Sequence, residues 1–172
     1  MARKSSLREF QAHLASRLAA IGEQRAAGLL GVQSGSEYWL IELPDSGEIV
    51  PMTALTGVPM TKPWFVGIAN IRGNLYSVAD FSAFRGKEPT VRNANSRLLL
   101  IGTRYGNNAA LLLTRMLGLR HIDDLTPIAA DPASPPWANL AYRDKEGRRW
   151  RMLNVKLLLA DEAFMDIGAL PQ

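Results

Sequence analysis

A strand-rich, barrel-type fold with a helix at its amino-terminal end and a shorter one near its carboxyl-terminal end is the architecture this sequence predicts. Three observations carry that prediction. From residue 28 onward the chain breaks into short apolar runs separated by Gly, Pro, Asn and Asp, the texture of strands joined by tight turns. Two of those runs, residues 98–101 and 109–113, are apolar without interruption, as strands buried on both faces are. Ahead of them Leu7, Phe10, Leu14, Leu18 and Ile21 recur at spacings of three and four, which is a helical stripe.

Residues 1–27 therefore read as an amphipathic helical extension, and residues 28–172 as the body. Arg8, Glu9, Gln11, Arg17 and Glu23 fill the polar side of the helix. Ser6, with Glu9 three residues on, makes a capping-box pattern, Ser5 is an alternative cap, and Gly28 is the expected end. Such a stripe is expected to pack on the body of its own protein. Arg3, Lys4, Arg8, Arg17 and Arg25 leave docking on a membrane or a partner helix open.

Strands are expected over residues 29–32, 38–43 and 49–52, with turns at Ser34-Gly35-Ser36 and Pro44-Asp45-Ser46-Gly47. Gly57, Pro59 and Pro63 make residues 56–63 a connection. It leads into the segment Trp64 to Phe81, which holds an Asn-x-Arg-Gly punctuation, with the β-branched Val66, Ile68 and Ile71 up to the break and Leu75, Tyr76 and Val78 resuming after it. A tight turn between two strands accounts for it, with Gly73-Asn74 as the pair that tolerates positive φ. Arg72 then sits at the turn, either as a solvated charge or as a fixed guanidinium fork presented to a carboxylate-bearing partner.

Residues 81–86 are expected as a short helical turn capped by Asp80. Residues 87–96 are polar and read as a mobile loop or crossover, and residues 97–103 and 109–114 as a hairpin. An irregular stretch is expected over 117–125. Pro127, Pro132, Pro135 and Pro136 argue against regular structure in 126–136. A second hairpin joins 138–142 to 150–153 through Asp144-Lys145-Glu146-Gly147, and residues 155–164 close the chain as a short helix. Trp64, beside Pro63 at the entrance to the central segment, is the tryptophan best placed to be a surface anchor.

The chemistry that the sequence lacks is informative. It contains no cysteine, so disulfides, thiolate metal sites and cysteine nucleophiles are excluded. His121 with Asp123 and Asp124 has no second ligand group to complete a metal shell, and His13 lies far away in the chain. No Gly-x-Ser-x-Gly occurs, and Gly86-Lys87 is followed by Glu88 rather than by the Ser or Thr of a phosphate-binding loop. No enzyme activity and no cofactor are expected. No apolar run approaches about 20 residues, so neither membrane insertion nor secretion is expected and the protein reads as cytoplasmic. The formal net charge of +4 permits an acidic partner, but the basic residues are scattered rather than gathered on one face.

Gly67-Ile68-Ala69-Asn70-Ile71-Arg72-Gly73, followed by Val78-Ala79-Asp80-Phe81, resembles the signature of the CheW adaptor family of bacterial chemotaxis, Gly-Val-x-Asn-Leu-Arg-Gly and then Pro-Val-Val-Asp-Leu. Ser77 stands where the family has proline, and Phe81 where it has leucine. Gly47-Glu48-Ile49 resembles the family's Val-x-Glu-Ile segment, and Met152 to Leu158 its closing strand and final helix. The resemblance spans roughly residues 36–160 and implies two small five-stranded SH3-like barrels sharing a core. It also implies a non-enzymatic adaptor between the cytoplasmic tip of a methyl-accepting chemoreceptor and the regulatory domain of a CheA-type histidine kinase. On the matching positions Asn70, Arg72 and Gly73 would face the receptor, and Glu48 and Ile49 the kinase. Asn74-Leu75-Tyr76-Ser77 is closer to the adaptors of type IV pilus twitching motility than to flagellar ones. The alternative is a small-barrel binding module for nucleic acid or for another regulatory protein, suggested by the sequence pI of about 9.7.

Overall fold

The structure, a computed structural model, describes residues 7–26 and 28–169, and within the first helix the side chains of residues 7–19. Helix α1 (Leu7–Ala26) precedes strands β1 (Gly28–Ser34), β2 (Glu37–Glu42), β3 (Ser46–Pro51), β4 (Leu55–Thr56), β5 (Phe65–Ile71) and β6 (Asn74–Asp80). Helix α2 (Phe81–Phe84) follows, then β7 (Arg97–Ile101), β8 (Ala109–Leu113), β9 (Arg115–His121), β10 (Thr126–Ile128), β11 (Leu140–Arg143) and β12 (Arg149–Leu153). Helices α3 (Val155–Leu159) and α4 (Glu162–Met165) end the described chain.

The strands form two six-stranded sheets, in the orders β10-β11-β12-β2-β1-β9 and β3-β7-β8-β6-β5-β4. Pairing is antiparallel throughout except for β12 on β2 and β6 on β8. The five strands expected per barrel become six through two short edge elements, β4 of two residues and β10 of three.

The unbroken apolar runs are explained by where their two faces go. On β7 and β8, Leu99, Ile101, Leu111 and Leu113 point into one core with Leu30, Val32, Trp39 and Ile41 of the other sheet, closed over by Phe81, Trp137, Leu158 and Phe164. Their alternate residues Leu98, Leu100, Ala110 and Leu112 point the opposite way, into a core private to that sheet with Tyr76 and Val78. The other sheet has its own private core of Leu29, Leu40, Trp150 and Met152. Central strands thus face two cores at once, which is how two small barrels share one interior. Each fully buried leucine is worth about 1.5–3 kcal/mol of apolar transfer.

Several expectations are corrected. The central turn uses Arg72 and Gly73, not Gly73 and Asn74. Residues 115–121 are a strand, hidden from pattern reading because β9 is a largely exposed sheet edge without alternation. Pro127 sits inside β10, at the opposite edge, where a missing N–H is tolerated. The closing helix is two helices, because Asp161 stops α3 and caps α4 through Ala163 N–H at 2.8 Å. Residues 87–96 lack regular structure but are pinned: Asp80 accepts from Thr90 N–H and Thr90 Oγ1, both at 2.7 Å, and Ser96 is fully buried. Finally, α1 does not bury its stripe. Leu7, Phe10, Leu14 and Leu18 are all exposed, the side chain of Ile21 lies outside the described residues, and so do the caps Ser5 and Ser6.

Candidate protein-interaction site

The β5–β6 hairpin ends in a two-residue turn. Ile71 pairs with Asn74, and the residues between them, Arg72 and Gly73, both have positive φ, 52° and 83°. This is the pattern of the turns whose twist matches paired strands. Glycine adopts it freely; arginine does so at a cost that local contacts must offset. One contact is Asn70, whose Oδ1 accepts from Gly73 N–H at 2.9 Å. A second is Glu48, which receives the whole Arg72 fork: Nη1 donates to Oε2 at 2.6 Å and Nη2 donates to Oε1.

Glu48 is aimed at that fork by a bulge in β3. The pairing register of β3 on β7 shifts between Ser46 and Ile49, leaving Gly47 and Glu48 outside the ladder. Only glycine fits at 47, since a Cβ there would lie 2.4 Å from Leu100 O. Three strand spacings separate β3 from β6 in the sheet order, about 14 Å if the sheet were flat. Two side chains reach across it together only near full extension, and the Arg72–Glu48 pair joins the β3 edge to the β5–β6 turn over β7 and β8. The hydrogen bonds and charge of Arg72 hold the Glu48 carboxyl below its ordinary value, and Glu48 in turn raises Arg72. Both side chains remain open to solvent, 70% exposed for Arg72 and 43% for Glu48. Leu75, 60% exposed, adds an apolar neighbour to the turn.

The other site residues fall differently. Ile49 is half-buried and packs against the shared core, so only its neighbour Glu48 faces outward. Trp64 is half-buried in an aromatic cluster, stacked on Phe164 at 5.8 Å and edge-on to Phe84 at 5.0 Å. One side of that cluster lines an apolar recess of about 150 Å³ with Phe65, Ala79, Leu159 and Met165. Asp124 is engaged by Lys145 at 2.6 Å, and among the described residues no group of three or more His, Asp or Glu could hold a metal ion.

Pattern reading missed a half-buried charge cluster. Arg85 Nε and Nη2 donate to Glu37 at 2.9 and 3.0 Å, Arg151 approaches the same carboxylate at 3.7 Å, and Arg85 lies over the Trp39 ring at 5.0 Å. Arg85 follows α2 and Glu37 opens β2, so the contact ties the two sheets together. No local signal could reveal it, since the partners are 48 residues apart.

Two sheets around a shared core thus hold the Arg72 turn out to solvent. A family model for the CheW-like domain matches residues 28–163. The chain belongs to the CheW-like family. It is 23% identical to protein PilI of Pseudomonas aeruginosa over 145 residues, 81% of this chain and 79% of that one. It also resembles the crystal structure of the scaffolding protein TtCheW from Thermoanaerobacter tengcongensis, with a TM-score of 0.65 and 16% identity over 80% of this chain and 95% of the other. No described helix is long and apolar enough to cross a membrane.

Proposed function

We propose that this protein is the adaptor that couples the cytoplasmic tip of a methyl-accepting chemoreceptor to the regulatory domain of a CheA-type histidine kinase, in a pathway of the twitching-motility kind. Binding is its whole activity. The observation that carries the reading is the Arg72 turn, in which an arginine in a strained backbone conformation is fixed by Asn70 and Glu48 and still faces solvent. A cation held that way loses little conformational freedom when a partner carboxylate replaces or joins Glu48. Asn70, Arg72 and Gly73 form the receptor contact, with Leu75 as its apolar floor. Glu48 and Ile49 lie on the side offered to the kinase. Similarity to PilI, together with the divergent Asn74 to Ser77 segment, favours the pilus-type pathway over the flagellar one.

Calorimetric titration with the regulatory domain of the CheA-type kinase from the same source, at low and high salt, tests the reading. Saturable binding with shallow salt dependence is expected. Absence of binding to that domain, or the steep salt dependence of a protein that neutralises many phosphates, would overturn it.

A further inference from the structure

We propose that the groove between the start of β2 and the β11–β12 hairpin is a second docking site, one that takes an acidic peptide segment of a partner protein. It is an open groove of about 520 Å³ in the sheet that does not carry the Arg72 turn. That size lies within the usual range of ligand sites, about 300–1,000 Å³. Three arginines, Arg148, Arg149 and Arg151, line it against two carboxylates, Glu37 and Glu146.

Neither carboxylate neutralises Arg148 or Arg149. Glu37 is spent on the Arg85 fork and, more distantly, on Arg151. Glu146 stands at the hairpin turn and makes no ion pair with any described residue. Arg148 and Arg149 likewise have no carboxylate within ion-pair distance among the described residues. Asp144, the carboxylate near Arg148, already accepts from Arg148 N–H, Glu146 N–H and the Trp150 indole at 2.8–3.0 Å. Those bonds fix the hairpin turn and the start of β12.

Arg148 is nevertheless ordered. Its guanidinium lies over the Tyr38 ring at 4.3 Å and faces Trp150 at 6.0 Å, and the two rings are themselves 5.5 Å apart. Stacking on an aromatic face leaves the in-plane N–H donors of a guanidinium free, and a fork held flat has little rotamer entropy left to lose on binding a carboxylate. With the exposed Arg149 beside it, the groove offers planar donors spaced along a channel. This suits side-chain carboxylates on an extended peptide.

The test is fluorescence anisotropy with a fluorescein-labelled peptide alternating aspartate and glycine, added to the full chain. Saturable binding is expected, weakened at least tenfold by Arg148→Glu and by Arg149→Glu. The latter is exposed and leaves the Tyr38 stack untouched, and thermal melts of both variants confirm folding. Arg115→Glu, on the edge strand β9, should bind as the parent does. Absence of saturable binding, or affinity in the two groove variants equal to the parent's, would overturn the site. Tighter binding of a single-stranded oligonucleotide or a phosphopeptide of equal charge would overturn the acidic-peptide assignment in favour of phosphate recognition. Because the proposed receptor contact at the Arg72 turn and kinase contact at Glu48 and Ile49 both lie in the other sheet, loss of those functions would leave this result unaffected.

Discussion

Arg72 and Glu48 are partners before any other protein arrives: the fork of one, at the β5–β6 turn, closes on the carboxylate of the other, in the bulge of β3. An exposed pair of this kind adds little to stability, so its value lies in pre-setting the turn. Arg72→Glu is expected to abolish receptor-stimulated kinase phosphorylation while leaving the melting temperature unchanged. The charge swap Arg72→Glu with Glu48→Arg restores the pair but not the cation at the turn tip, and should stay uncoupled. Coupling by either variant would remove Arg72 from the receptor contact.

Asp80, in the second half of the signature, does structural work instead. Its side chain is 3% exposed and accepts four hydrogen bonds, from Ser82 N–H, Ala83 N–H, Thr90 N–H and Thr90 Oγ1. One residue therefore caps α2 and fastens the 87–96 crossover. Asp80→Ala strands these donors in a buried place and should cost about 3–4 kcal/mol in urea unfolding. Thr90→Val removes part of the same network, so the double variant should lose less than the sum of the single losses. Additive losses would mean that Asp80 and Thr90 act separately.

The two halves of the signature differ in how far the sequence reveals them. The Asp80 cap, the β7–β8 and β11–β12 hairpins and the buried central runs rest on local rules, and chain neighbours suffice to read them. The pairing of Arg72 with Glu48 joins residues 24 apart on strands that are not neighbours in the sheet. Nothing local encodes it. Strand β9 lacked alternation because an edge held by one neighbour needs none. The turn falls one residue earlier than intrinsic preference predicts: Asn74 is the better former of positive φ, but the Asn70 cap and the Glu48 contact settle Arg72 there.

Helix α1 is the clearest departure from pattern. Its described side chains, residues 7–19, are exposed throughout, with Leu7 at 72% and Leu18 at 62%. The described side chains of the helix, being exposed, contribute nothing to the core. Deleting residues 1–26 should leave the melting temperature of the remaining body unchanged within about 1 °C, since a change of 1 kcal/mol would move it by about 2–4 °C. A fall of several degrees would show that the stripe packs on the body in solution.

The Glu37 cluster makes stability depend on pH in a direction that can be derived. Burial pushes the Glu37 carboxyl up, but the Arg85 hydrogen bonds and the charges of Arg85, Arg151 and Lys87 outweigh it and hold the group below its ordinary value. The folded state is then the weaker proton binder. As pH falls past the unfolded carboxylate value, about 4.3, the unfolded chain takes up its proton first and the stabilisation drains away until the folded group titrates as well. Glu37→Gln keeps the shape but not the charge, and with the side chain 17% exposed the loss at neutral pH should be about 1–2 kcal/mol. Urea unfolding at a series of pH values should show parent and variant separated by a constant amount from pH 8 down to about 5, converging below about 4. Curves that stay parallel through the acid range would mean that Glu37 titrates alike in both states and that its pairing with Arg85 adds nothing to the union of the two sheets.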